Sequence, residues 1–247
     1  MLFPDGYSTN NLETPSLLPL YHSTMSNVVD LIVDSGEIAT QRDSISTVFF
    51  FYGKPSYSYR PKSNRFQPFC FIFNGNTLIE RGEYVSIHCF DTGGLSHGHY
   101  EPEISSAEPA NGFQIGRNND DLRKACRELF ETNERYLSGQ CREDAEFGSF
   151  FHPRLKGYVD LVKKTSDLRN VPLYDPPAHT FEVQVRSPIR LLPNAKALMG
   201  PQDELSRLIE FLEDNDIEPI PYGSDHKVSG LPGWLAMMDL VKSMSKA

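Results

Sequence analysis

The chain has 247 residues, 39% of them hydrophobic, enough to bury a full core as one large domain or two small ones; a single domain over 1–247 is the expectation. With 33 acidic residues against 24 basic ones the formal charge is −9, which excludes a whole-molecule electrostatic grip on nucleic acid, because phosphate contact is carried by Lys and Arg. No run approaches the roughly 18–20 apolar residues that cross a bilayer, the first residues lack a basic segment followed by an apolar one, and Cys70, Cys89, Cys126 and Cys141 show no CxxC pairing, so a cytoplasmic protein with reduced thiols is expected.

Tyr21-His22-Ser23-Thr24 forms a polar tip at a strand end. It leads into Asn27–Ser35, whose Val28, Val29, Leu31, Ile32 and Val33 have helical spacing, with Gly36 placed as a helix C-terminal glycine. Thr47–Tyr52 is too apolar and β-prone for a loop, and Gly53-Lys54-Pro55-Ser56 breaks it, so a buried strand delivers Lys54 to its end. No acidic residue occurs between Asp43 and Glu80, an interval that holds Lys54, Arg60, Lys62 and Arg65 among Tyr52, Tyr57 and Tyr59. Such a stretch is either a solvated loop or a surface that meets phosphates and stacks bases.

Gln67–Phe73 and Tyr84–Phe90 are further strands, and the glycines, prolines and histidines of Asp91–Gly116 predict a long irregular excursion, functional or mobile. Asp120-Asp121 open a helix with Leu122, Cys126, Leu129 and Phe130 on one face. Within the ambiguous interval 140–177, Tyr158–Lys164 fits strand or helix. Phe181–Val185 alternates, with Phe181, Val183 and Val185 on one face and Glu182 and Gln184 on the other. Two amphipathic helices, Gln202–Asp214 and Gly233–Ser245, make the part from about 201 to 247 helical. The order predicts an α+β domain with a central, mostly antiparallel sheet.

Glu182 on a rigid strand is either an outward-facing side chain or a carboxylate fixed beside a developing positive charge, such as the oxocarbenium formed when a bond to a sugar carbon breaks. His22, Ser23 and Thr24 suit a ligand with ribose hydroxyls and a carboxamide, or are structural; Asn27 caps the helix or touches the ligand. A cation at Lys54 can neutralise a diphosphate, and Tyr57 or Tyr59 can stack on a ring or pack over the sheet edge. The spacing of His88-Cys89, Asp91 and His97-Gly98-His99 matches no metal site, and no metal is expected.

Taken together, Leu20–Thr24 with Asn27, Ile32 and Gly36, then Val48–Tyr57, then Glu182–Val185 with Ser187-Pro188-Ile189, resemble the toxin branch of the ADP-ribosyltransferase superfamily, nearest the DarT-type toxins and similar phage-defence toxin–antitoxin transferases. The resemblance implies a split antiparallel sheet core with flanking and C-terminal helices, NAD as substrate, and an antitoxin partner. It places His22, Ser23, Thr24 and Asn27 at NAD and Lys54 and Glu182 at the chemistry; the acid-free stretch itself adds Tyr57 as a stacking residue at NAD and Tyr59, Arg60, Lys62 and Arg65 as a surface for a nucleic-acid target, RNA or single-stranded DNA. DarT-type toxins carry Arg where Lys54 stands, and Lys supplies charge without the planar fork. A protein side chain as acceptor, or a binding module without turnover, are the alternatives.

Overall fold

A computed structural model describes residues 15–40, 47–56, 66–75, 84–142, 153–166, 180–223, 236–237, 239–241 and 243. In chain order they form β1 (Leu20–Met25), α1 (Ser26–Ser35), β2 (Glu37–Ile38), β3 (Thr47–Tyr52), β4 (Pro68–Phe73), β5 (Tyr84–His88), α2 (Thr92–Ser96), a 3-10 turn at Ala110–Phe113 and β6 (Gln114–Gly116). There follow α3 (Asn119–Phe130), α4 (Asn133–Ser138), α5 (Pro153–Ser166), β7 (Glu182–Arg186), β8 (Ile189–Arg190), β9 (Ala195–Pro201), α6 (Gln202–Ser206), α7 (Ile209–Asp214) and β10 (Glu218–Tyr222). This is the α+β content expected. The described residues divide between two compact units, one within Met1–Leu18, Ser56–Tyr59 and Tyr84–Val183, the other within Pro19–Pro55, Arg60–Glu83 and Gln184–Ala247.

In the second unit the strands run β10-β9-β4-β1-β3. β1 pairs antiparallel with β4 from Leu20↔Phe73 through Met25↔Pro68, and with β3 at Leu20↔Tyr52 and Tyr21↔Phe51. Side chains alternate across a strand and directly paired residues share a face. Leu20, His22 and Thr24 therefore share one face with Phe50, Phe69, Phe71 and Phe73, where Phe50 meets Phe73 edge-on at 5.2 Å. Tyr21 and Ser23 take the other face with Cys70, Ile72, Ala197 and Met199, closed over by Met237 and Val241 from a helical C-terminal segment.

β9 and β10 pair in parallel, an exception in a mostly antiparallel sheet. The part from about 201 to 247 is not helical throughout as expected, because β10 is a strand within it; β10 carries Pro219 and Pro221 and lies at the end of the strand order, where alternate residues without N–H groups cost no ladder bond. The helix expected over Gln202–Asp214 is two short ones, broken at Arg207-Leu208.

Helix α1 does end in a left-handed Gly36 (φ 67°), whose N–H returns to Val33 O. It begins at Ser26 with Met25 as its N-cap and no side-chain cap, because β1 runs directly into it. Asn27 lies inside the first turn, exposed, so it is not the cap.

In the first unit, β5 and β6 pair antiparallel at Ile87↔Gly116 and His88↔Gln114 around a bulge. Phe90 packs on Tyr100 and Phe113 at 4.9 Å each and on Tyr158 at 6.3 Å. The ambiguous Tyr158–Lys164 stretch is helical: Leu155, Tyr158, Val159 and Val162 in α5 are buried at i, i+3, i+4, i+7 spacing. Asn118 caps α3 by accepting from Asp121 N at 2.9 Å, and Leu122, Ala125, Cys126, Leu129 and Phe130 fill its buried face. Thr132 caps α4, which sets Tyr136 between Phe130 (5.1 Å) and Phe181 (4.8 Å). The excursion expected over Asp91–Gly116 is built from α2, the 3-10 turn and β6.

Candidate active site

Phe181, Val183 and Val185 are fully buried, and the intervening Glu182 is also buried, at 1% exposure. That excludes the solvated outward-facing glutamate. Desolvating a carboxylate is costly unless donors replace its water, and Thr92 supplies two: its N–H reaches Oε2 at 3.1 Å and its hydroxyl reaches Oε1 at 2.8 Å. The strand is anchored one residue earlier, where the buried Phe181 N–H donates to the Tyr136 hydroxyl at 3.0 Å.

Thr92 stands at the head of Asp91-Thr92-Gly93-Gly94. Asp91 Oδ1 accepts from Gly93 N at 2.8 Å and its carbonyl accepts from the Tyr100 hydroxyl at 3.0 Å. Neither Thr92 nor Tyr136 stands out in the sequence. The nearest signal is the Asp-Thr-Gly-Gly run itself, a turn former directly behind a buried strand.

In the second unit His22 Nδ1 donates to Phe49 O at 2.9 Å, which leaves Nε2 as the acceptor of a neutral imidazole. The carbonyl it takes lies two residues beyond the last β1–β3 pair, so the imidazole bonds a β3 carbonyl past the end of that pairing. The ring lies 5.6 Å from Phe50. Burial pushes the His22 pKa below its ordinary value, and the Phe49 carbonyl opposes that shift.

Thr24 shares the His22 face, buried. Ser23 does not: its hydroxyl contacts Cys70 Sγ at 3.8 Å on the opposite face. The polar tip is thus split by the alternation of β1, with His22 and Thr24 on one side and Ser23 in the other core.

Lys54 follows Gly53, whose φ of 73° turns the chain and whose N–H donates to Pro19 O at 2.8 Å. Lys54 itself is buried, at 4% exposure. Tyr57, Tyr59, Arg60, Lys62 and Arg65 lie outside the described residues.

His88 donates through Nδ1 to Ala110 O at 3.2 Å and accepts at Nε2 from Ser86 Oγ at 3.0 Å, so both ring nitrogens are engaged. Among the described residues no group of three metal-ligating side chains occurs, and no helix is long and apolar enough to cross a membrane.

No protein-family model and no curated protein matches the chain. Similar solved structures include Thermus sp. 2.9 DarT in complex with carba-NAD+, 11% identical with a TM-score of 0.45, covering 84% of this chain and 96% of that one. The same protein in complex with NAD+ is similar at 11% identity and a TM-score of 0.45, covering 85% and 97%.

Proposed function

We propose that the chain is an NAD-dependent mono-ADP-ribosyltransferase, a toxin or antiphage effector that transfers ADP-ribose to a nucleic-acid base and releases nicotinamide. The observation that carries this reading is Glu182: a carboxylate at 1% exposure, on a strand anchored at Phe181, with both oxygens bonded by Thr92. Cleavage of the bond between nicotinamide and ribose sends the electron pair out with nicotinamide and leaves positive charge on the sugar carbon. In the bound substrate that positive charge sits on the nicotinamide ring; an anion fixed beside the sugar carbon stabilises it more once cleavage has moved it there, which is the condition for lowering the barrier. A base nitrogen or exocyclic amine then bonds to the carbon and loses its proton, for which Glu182 is the proposed acceptor.

The tautomer of His22 supports a role at NAD, since its Nε2 accepts from a ribose hydroxyl or the carboxamide N–H while Nδ1 stays on Phe49. Thr24 shares that face, and Lys54 is the proposed partner of the diphosphate. Asn27 and Tyr57 complete the proposed NAD set, and Tyr59, Arg60, Lys62 and Arg65, in the acid-free stretch, the proposed nucleic-acid surface. Such an activity would poison its host, so a neutralising protein partner is part of the proposal.

The test is transfer of label from adenine-labelled NAD to total RNA, single-stranded DNA and cell protein, with the wild type and Glu182→Gln. Label on a nucleic acid that disappears in the variant is expected, and charge reversal at Arg60, Lys62 and Arg65 should weaken modification and flatten its salt dependence. Label on protein would replace the acceptor with a side chain. No label and no released nicotinamide would overturn the reading.

A further inference from the structure

We infer that Thr92 is the positioning residue for Glu182, held in place by a clamp that runs from Tyr100 through Asp91. The inference rests on the reading of Glu182 as the catalytic carboxylate and goes beyond it.

A single hydrogen bond to a carboxylate leaves the group free to turn about its terminal bond, a torsion with broad, shallow preferences. Thr92 contributes two donors to two different oxygens, at 3.1 Å to Oε2 and 2.8 Å to Oε1, which fixes both the position and the plane of the group. A charge meant for one carbon of a bound substrate needs that restraint, because a misaimed charge loses its differential interaction with the transition state.

Thr92 is restrained in turn. The Asp91 carbonyl accepts from the Tyr100 hydroxyl at 3.0 Å and from Leu95 N at 3.2 Å, and the Asp91 side chain bonds Gly93 N at 2.8 Å. Tyr100 is buried and packs on Phe90 at 4.9 Å. Gly94 makes this closure possible: a Cβ there would lie 2.5 Å from the Tyr100 hydroxyl oxygen and 2.8 Å from Cζ, inside contact distance. Asp91-Thr92-Gly93-Gly94 and Tyr100 thus act as one unit whose output is the orientation of the Glu182 carboxylate.

A positioning role predicts a loss of turnover rather than of affinity, because the groups proposed to grip NAD are others and the carboxylate acts on charge that reaches the sugar carbon only in the transition state. Thr92→Val keeps shape and N–H and removes the hydroxyl. Its kcat for nicotinamide release should fall about 10- to 100-fold, the loss of one charge-assisted hydrogen bond. The KM for NAD should stay within about threefold. Thr92→Ser restores the donor and should recover kcat to within about threefold of wild type, and Tyr100→Phe, which removes the bond to the Asp91 carbonyl and acts on Glu182 only through Thr92, should lower kcat about 3- to 10-fold.

A wild-type kcat in Thr92→Val overturns the inference, as does a KM increase with kcat unchanged. Should that variant fail to fold, Tyr100→Phe decides, and an unchanged kcat in it overturns the clamp. Glu182→Gln, run alongside, separates the two levels. Activity retained there sinks the proposed function, whereas an inactive Glu182→Gln beside a fully active Thr92→Val removes the clamp alone.

Discussion

Replacing Tyr136 with Phe removes one oxygen atom and tests whether the strand carrying Glu182 is pinned by the bond from the Phe181 N–H. Both residues are fully buried, and the 3.0 Å bond from Phe181 N to the Tyr136 hydroxyl is part of the core. The ring keeps its packing on Phe130 at 5.1 Å and Phe181 at 4.8 Å, so little apolar burial is lost. What is lost is the acceptor of a backbone donor that cannot reach water, worth about 1–3 kcal/mol. For a chain of 247 residues each kcal/mol moves Tm by about 2–4 °C, so a fall of about 2–12 °C is expected in a thermal melt. Hydrogen exchange followed by mass spectrometry should show faster exchange in peptides covering Phe181. A Tm within about 1 °C of wild type, together with unchanged Phe181 protection, would refute the reasoning.

Gly200→Ala places a Cβ 2.4 Å from Phe69 Cε1 and 2.5 Å from Cδ1, against a ring with no exposed surface, and overpacking of this kind costs about 1–3 kcal/mol. The melt should shift down, and Phe69→Leu in the same chain should recover part of the loss; an unshifted single variant counts against the packing described. The histidines predict an acid limit to stability. Burial is the larger influence on both His22 and His88 and lowers their pKa, while the Phe49 and Ala110 carbonyls oppose it. Below the ordinary histidine value near 6.5 the unfolded chain then binds protons that the native one refuses. The stabilisation is therefore complete above that pH and is lost as pH falls through the lower native values. Urea titrations at pH 7 and pH 5 should show a smaller acid loss in His22→Gln and in His88→Gln than in wild type, and parallel losses would dismiss the two imidazoles as the cause.

The order of strong local patterns is legible in the chain. Thr47–Tyr52 is a strand with the bounds its apolar run predicts, Gly36 ends α1, and the α3 face of Leu122, Cys126, Leu129 and Phe130 is buried as its spacing requires. Each follows from a period of two or 3.6 acting on residues a few places apart, for which the chain itself carries the geometry. Even the separation of Ser23 from His22 and Thr24 is implicit in that period once β1 extends from Leu20 to Met25; taking the tip as a strand end hides it.

Tertiary structure alone decided the rest. β10 is a strand despite Pro219 and Pro221, because the end of the strand order asks for no N–H on one side. Tyr158–Lys164 is helix because its apolar side chains meet a core, where propensity left strand and helix equal. Glu182 looks on sequence like an exposed polar position, and only the fold brings Thr92, 90 residues upstream, to both of its oxygens. A carboxylate loses its water when donors distant in sequence are carried to it, and that placement depends on the path of the whole chain rather than on any local period.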